Sequence, residues 1–574
     1  MNPATKLRAR VSPEAISKVT CIFNGTLDDI LNELLQNARR AGASQVAITT
    51  EHLDDACLIS ITDNGTGITD PADLVSLGQS DWPDECRARE DPAGMGFFSL
   101  AGLDTVVSSS SALSSFTLAI AGAAWTGEAD IDVLPWEGPQ GTTIAFSFEP
   151  QRDGKFERAV QAAARYYPLP VTLNGAPIAR ADFIEGAYTV TFREGYRIGV
   201  YNQGYSPHRE TINFHGLVLG HTLPQIKEVH GTLWSVKVDI VDAPDLVLVL
   251  PARKEIFRNE ALEQLTDLCR AAIFEAIRAE PFHRLSFDDW ELAKTFDSEI
   301  SEAASELPPW RIVHANDSYR EMPKFVPVNA TATIYDDTDS FDSVSFGRAI
   351  GYSHGEGCDA DANQLLVPKA MTFFAPITNF AGYSWYDALP SFVRTGETYR
   401  QLDGTETPCG ADGVTFRPDV ITLELTDQHG NHLIVESDFA IRDGDDCWSD
   451  ADAAQVALTR ASKIDPGDLT ELIIAAVFSP SEDTDADSYD TQEMRFRHDA
   501  VARAYAILEG QDSAIVAGIR LAFADRIAWR IPRGRTLALS WSDAGSKLEL
   551  LSASEESGQR TRNPNPASPE RSPS

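Results

Sequence analysis

Glu33 and Asn37 stand four residues apart in the run Glu33-Leu34-Leu35-Gln36-Asn37, and that spacing sets both polar heads on one face of a helix. A carboxamide oxygen in such a place suits a hydrated magnesium ion, and the carboxylate beside it can orient and deprotonate a water. Further along, Asp63-Asn64-Gly65-Thr66-Gly67-Ile68 joins a carboxylate to two glycines. The glycines let the backbone turn sharply and approach a flat ligand, while the carboxylate can accept a hydrogen bond from an exocyclic amine such as that of adenine. A third segment, Gly94-Met95-Gly96-Phe97-Phe98-Ser99, reads as a glycine loop opening a helix, where free N–H groups at a positive helix end form a phosphate cradle. The fourth is Gly141-Thr142-Thr143, where a hydroxyl would complete the contacts of Asp63. Singly, each is weak: a polar pair on an amphipathic helix is usually a solvated face, and Asp-Asn-Gly is a common turn.

The elements that must hold these residues are legible around them. Leu27, Ile30, Leu31, Leu34, Leu35 and Ala38 recur at helical spacing after the turn and cap residues Asn24-Gly25-Thr26, and Gly42 closes the helix. Strands are expected at Gln45–Thr50 and Leu58–Thr62, then a polar stretch over 69–93 and an apolar helix start at Phe97–Leu103. Strand-like runs at Thr105–Ser109, Ser115–Ile120, Ala129–Leu134 and Thr142–Phe148 complete an α/β sandwich over residues 1–150, with helices on one side of a mixed sheet. The segment 151–282 opens with a helix at Phe156–Tyr166 and continues in strands, Val171–Leu173, Tyr188–Phe192, Arg197–Tyr201, Gly216–Leu219, Trp234–Ile240 and Leu246–Leu250. It closes on a helix at Asn259–Ala279, an α+β pattern.

Residues 283–552 read as a mixed α/β region of unknown fold. Within it 283–465 is irregular and rich in aromatics and acids, apart from a hairpin at Val420–Leu425 and His432–Glu436. Helices are expected at Leu469–Phe478, Thr491–Leu508 and Gln511–Ala528, and a strand at Thr536–Trp541. The Ser- and Pro-rich stretch 553–574 reads as a disordered tail. The fold class expected for the whole chain is α/β multidomain.

The four chemical segments make their case by order and spacing. Together they resemble the GHKL (Bergerat-fold) ATPase superfamily, which includes gyrase B, the ninety-kilodalton heat-shock chaperones, sensor histidine kinases and MutL. ELLQNARRAGA resembles the N box, ITDNGTGI and GMGFFSL the two glycine boxes, and GTTI the final Thr-bearing motif, over residues 27–148. The resemblance implies ATP and Mg2+ as cofactors. It makes Glu33 the general base, Asn37 the magnesium ligand and Asp63 the partner of the adenine amino group. Gly65 and Gly67 then shape the adenine pocket, Gly94 and Gly96 bind phosphate with Met95 and Phe97 beside them, and Thr142 supports Asp63 through its hydroxyl. Residues 70–93 correspond to a lid that closes on nucleotide. Arg40 departs from the pattern, standing where MutL and the chaperones usually carry an Asp. The second segment resembles the transducer domain of gyrase and MutL, with Arg253 or Lys254, just after a strand, as candidate sensor of the γ-phosphate. A solvated basic pair is the plainer reading of those two.

The rest of the sequence bounds what the ATP site serves. Lys plus Arg number 8 against 21 Asp plus Glu in residues 1–150, 15 against 16 in 151–280, and 25 against 49 in 281–574, in a chain of net charge −38. A polyanion is repelled from nucleic acid, which disfavours a MutL- or topoisomerase-like DNA role. No uncharged apolar run reaches 18 residues, so no membrane span is expected. Seven scattered cysteines without a CxxC pair, and no apolar stretch behind the basic amino terminus, lead to an expectation of a cytoplasmic protein. Only 26 residues precede the first helix and none is His, which argues against a histidine kinase and for hydrolysis. The expected function is a Mg-dependent ATPase coupling lid closure to conformational change or an ATP-dependent homodimer. The alternative is a nucleotide-gated, chaperone-like module with little turnover that presents its acidic carboxyl-terminal region to a protein partner. The acid runs at Asp336–Asp342 and Glu482–Asp490 read as solvated loops, since neither has the spacing of a calcium loop; the His354–Asp359 cluster mixes metal-ligand types in a Gly-rich loop that lacks partner spacing; Tyr383, Trp385, Tyr386 and Tyr399 read as core.

Overall fold

Helix α1 (Leu27–Arg40) begins where Asp29 accepts the Thr26 backbone N–H at 3.0 Å, and it turns Ile30, Leu31, Leu34, Leu35 and Ala38 inward. The apolar stripe that predicts the helix is the stripe it buries. The computed structural model describes residues 26–52, 57–76, 96–126, 129–148, 155–202, 210–249, 255–315, 324–353, 371–406, 415–443, 450–481, 483, 486–526, 528–531, 535–542 and 545–552. The chain divides into two compact units, 1–304 and 305–574, each mixed α/β with more than one sheet.

The first sheet of the first unit holds β1 (Val46–His52), β2 (Cys57–Asp63), β3 (Thr105–Ser110), β4 (Ser115–Ile120), β5 (Val133–Pro135), β6 (Gly141–Phe148), β7 (Val171–Leu173) and β8 (Ala176–Pro177). Their order is β5-β4-β3-β6-β2-β1-β7-β8, antiparallel throughout except for β1 beside β7. Period-two alternation divides the strands. Ile59, Ile61, Val107, Leu118, Ile144 and Phe146 join α1 and α2 (Lys155–Ala164) in one core, while Thr62 meets Thr143 and Ser108 meets Thr117 by hydroxyl contacts across strands.

The second sheet holds β9 (Thr189–Arg193), β10 (Tyr196–Tyr201), β11 (Ile212–Phe214), β12 (Leu217–Leu219), β13 (Ile226–Lys227) and β14 (Leu233–Ile240), in the order β12-β11-β14-β10-β9 with β13 on β14. Helix α3 (Glu260–Arg278), capped by Asn259 Oδ1 accepting the Leu262 N–H at 3.1 Å, shares a core with Ile198, Val200, Val236 and Val238. A short helix, α4 (Phe287–Lys294), follows.

In the second unit, β15 (Glu306–Leu307) pairs with β16 (Val326–Pro327). A five-stranded sheet runs β18 (Thr372–Phe374), β17 (Ala332–Tyr335), β19 (Ser391–Arg400), β20 (Val420–Asp427), β21 (His432–Ser437), with β17 parallel to both its neighbours. Helix α5 (Ser340–Ser353) follows β17; β22 (Phe439–Arg442) and β23 (Gln455–Leu458) form a pair. The chain then forms α6 (Pro466–Val477), α7 (Tyr489–Leu508), α8 (Gln511–Arg526) and the hairpin β24 (Arg535–Ser542) and β25 (Gly545–Ser552). No helix among the described residues is long and apolar enough to cross a membrane.

Several expectations are corrected. The helix expected from Phe97 is a five-residue 3-10 turn, Gly96–Leu100, followed by Gly102 at φ +90° and by Leu103, whose carbonyl accepts the Trp125 indole N–H at 3.0 Å. Among its described residues, the strand expected at Leu246–Leu250 makes one isolated bridge, Leu248 to Ile256. The stretch 283–465 is not irregular, since it contains α4, α5 and β15 through β23. Asp336–Asp342 is an exposed loop only as far as Asp339, and Asp342 lies in the first turn of α5. Asp342 is 0% exposed, accepts the Tyr335 hydroxyl at 2.8 Å and pairs with Arg394 at 2.9 Å, while Asp339 Oδ1 takes the Asp342 N–H at 2.7 Å. Tyr383 and Tyr399 are buried, as core residues should be. The His354–Asp359 cluster lies outside the described residues.

Candidate functional site

Asp63 is the last residue of β2, directly opposite Thr142 of β6. Its Oδ1 accepts the Gly65 N–H at 2.8 Å, the closed Asx turn that Asp favours before glycine. Burial pushes its carboxyl above the usual carboxylate range, against the lowering effect of the Gly65 and Thr142 N–H donors. Three glycines make the turn fit. A Cβ on Gly65 would stand 2.7 Å from Ala41. Gly67, at φ +72°, would put one 2.1 Å from the Ser110 carbonyl oxygen; Gly141, at φ +126°, would put one 2.1 Å from the Asp63 carbonyl oxygen. Positive φ and close backbone approach both demand glycine.

The loop is then docked on α1. The Thr66 N–H donates to the Ala41 carbonyl at 2.8 Å, just past the helix end. Asn64 Oδ1 accepts from the Ser44 N–H at 2.9 Å, and its amide donates to Ser44 Oγ at 2.8 Å. Behind the loop, Ser109 is fully buried: its Oγ receives the Ile68 N–H at 2.9 Å, lies 3.1 Å from the Thr142 hydroxyl and donates to the Gly141 carbonyl at 3.2 Å. Of these, the sequence does not single out Ser109. A serine in the run Thr105–Ser110 carries no signal that distinguishes it from its neighbours. The expected role of Thr142 is corrected in one respect. Its hydroxyl goes to Ser109, and its support for Asp63 comes through the backbone N–H.

Glu33 and Asn37 are half-buried on α1, with Leu34 and Leu35 between them in the core. Asn37 Oδ1, the oxygen expected to ligate a metal, accepts a hydrogen bond from Arg40 Nη1 at 3.2 Å. A magnesium ion held mostly by water and phosphate oxygens needs few protein ligands, so Asn37 fits that role once the guanidinium moves aside. Asp63, half-buried and acceptor-only when ionised, fits a purine amino group. Phe97 is in the core, tilted against Trp125 at 5.4 Å between ring centroids, and Gly96 opens the short 3-10 turn. Gly94, Met95, Arg253 and Lys254 lie outside the described residues.

The structure therefore sets the turn that holds Asp63, Gly65 and Gly67 against Thr142 of β6 and ties it to the end of the helix that carries Glu33 and Asn37. In comparisons with known proteins, no family model matches the chain and no curated protein is significantly similar to it.

Proposed function

We propose that the first unit binds ATP at this turn and helix in the manner of a GHKL ATPase. The observation that carries the reading is the Asp63 carboxylate, fixed by Gly65 and Thr142 and docked against the end of α1. In this reading Asp63 receives the adenine amino group and Glu33 takes the proton of the attacking water. Magnesium, when bound, neutralises phosphate charge as it develops, and Asn37 is the residue that would hold it. The remaining chain then responds to nucleotide state, through a homodimer or a protein partner of the acidic carboxyl-terminal region. A second reading, ATP held with scarce turnover, is favoured by the guanidinium on Asn37 Oδ1.

Titration calorimetry and phosphate release on the full chain test both. Glu33→Ala is expected to keep ATP affinity and lose turnover, by about 10²-fold or more for removal of a general base. Asp63→Asn is expected to weaken binding itself. Wild-type turnover in Glu33→Ala overturns the hydrolytic mechanism, and turnover as low in wild type as in that variant, with binding intact, selects the second reading.

A further inference from the structure

Arg40 reaches back along α1 to Asn37, and its neighbour Arg39 does not share that position: Arg39 Nε donates to Gln36 Oε1 at 3.3 Å, and Gln36 is buried against the carbonyls of Phe214 and His215. These two arginines are all the Lys and Arg among the described residues of 26–148, within a segment, 1–150, that carries 8 Lys plus Arg against 21 Asp plus Glu. A triphosphate entering so acidic a region needs a cation at its side. A guanidinium held on an Asn oxygen repels a metal cation from the second lone pair of that oxygen, so the two compete for the place.

We propose that Arg40 is an internal cation of the nucleotide site, which offers its guanidinium to the phosphates and competes with magnesium for Asn37 Oδ1. The proposal rests on the ATP reading above. Arg40 is a specificity-determining residue here: it sets how far nucleotide affinity depends on the metal. A guanidinium presents several donors in a fixed fork and stays charged at any working pH, so it can leave the amide for phosphate oxygens without loss of charge. The wild-type protein then binds ATP in the absence of divalent metal nearly as well as in its presence.

The test is the dissociation constant of ATP for the full chain, measured by calorimetry in magnesium and again in EDTA, and the ratio of the two. Arg40→Ala is expected to raise the ratio about tenfold through lost affinity in EDTA, the size of one charge-assisted hydrogen bond. Arg40→Gln, which keeps a donor and drops the charge, is expected to follow Ala, while Arg40→Lys keeps the ratio close to wild type. Circular dichroism of each variant separates this from misfolding. If ATP binds and the ratio is unchanged in Arg40→Ala and Arg40→Gln, the role of Arg40 is overturned and the ATP site stands. If wild-type protein binds no ATP in either buffer, the ATP reading falls, and the role of Arg40 with it.

Discussion

On the ATP reading, Asp63 carries a tension that the adenine amino group would resolve. Burial raises its carboxyl, so the folded protein holds a proton there more tightly than the unfolded chain does. The stability this group contributes is fully present below the ordinary carboxylate value of about 4 and is lost as pH rises through the raised value. At neutral pH the ionised side chain is therefore a burden on the empty protein. Replacing it by Asn removes the titration and keeps an acceptor for the Gly65 N–H. The difference in melting temperature between Asp63→Asn and wild type is expected to move in favour of Asn from about pH 4 to about pH 7, even as ATP affinity falls. A difference that stays flat across that range would show that the carboxylate is solvated and not strained by burial. Such exchange of stability for binding is expected where a charge is held ready for a ligand.

At the scale of elements, α1 is fastened to both sheets of the first unit. Gln36, 6% exposed between Glu33 and Asn37 in sequence, donates to the His215 carbonyl at 2.8 Å. His215 adopts φ +52°, and the following Gly216 packs against Tyr167, whose hydroxyl donates to the Leu35 carbonyl at 2.6 Å. Asn213, in β11 beside this turn, donates to the Tyr166 carbonyl and to Asp239 of β14. Any shift of α1 on binding nucleotide must strain this buried hydrogen-bonded set or carry the β11–β12 turn with it. Gln36→Leu strands two carbonyls, at a cost of about 1–3 kcal/mol, and Tyr167→Phe removes one further bond, about 1 kcal/mol. Denaturant melts of the two single variants and the double variant are expected to be non-additive, because the partners share one turn; strict additivity would mean that they act as separate anchors.

These anchors also mark what was legible beforehand. The stripe Leu27–Ala38, the alternation of β2 and β6 and the cap Asn259 announce their elements because each faces a single core. Helix α5 gives no such sign. Val344, Phe346 and Ala349 are buried, but so are Asp342, Ser343 and Ser345, each with an internal partner, so no polar face is left to define a period. The candidate site was legible where glycine and Asp adjoin in sequence. Its supports, Ser109 and Ala41, come from other elements and could be found only in three dimensions.

At the scale of the whole molecule, each unit has core clusters of its own: among the described residues, those around α1 and α3 precede 305, and those around α5 and α6 follow it. The second unit contains a buried ionic network. Arg394 joins Asp342, 0% exposed, to Glu397, which also takes Arg442 and the Tyr399 hydroxyl. The same Asp342 receives the Thr338 N–H at 3.1 Å, fixing the turn from β17 into α5. Arg394→Met leaves this carboxylate without its guanidinium in a dry place, a loss of about 3–5 kcal/mol. Calorimetry of the full chain is expected to show two transitions, one raised by ATP with magnesium and one not. Arg394→Met should lower only the transition that ATP leaves alone, by roughly 10 °C for a unit of this size, with ATP affinity unchanged. A single transition that moves with both ligand and substitution would instead mean that the second unit folds only on the first, and its ionic network would then belong to the response to nucleotide.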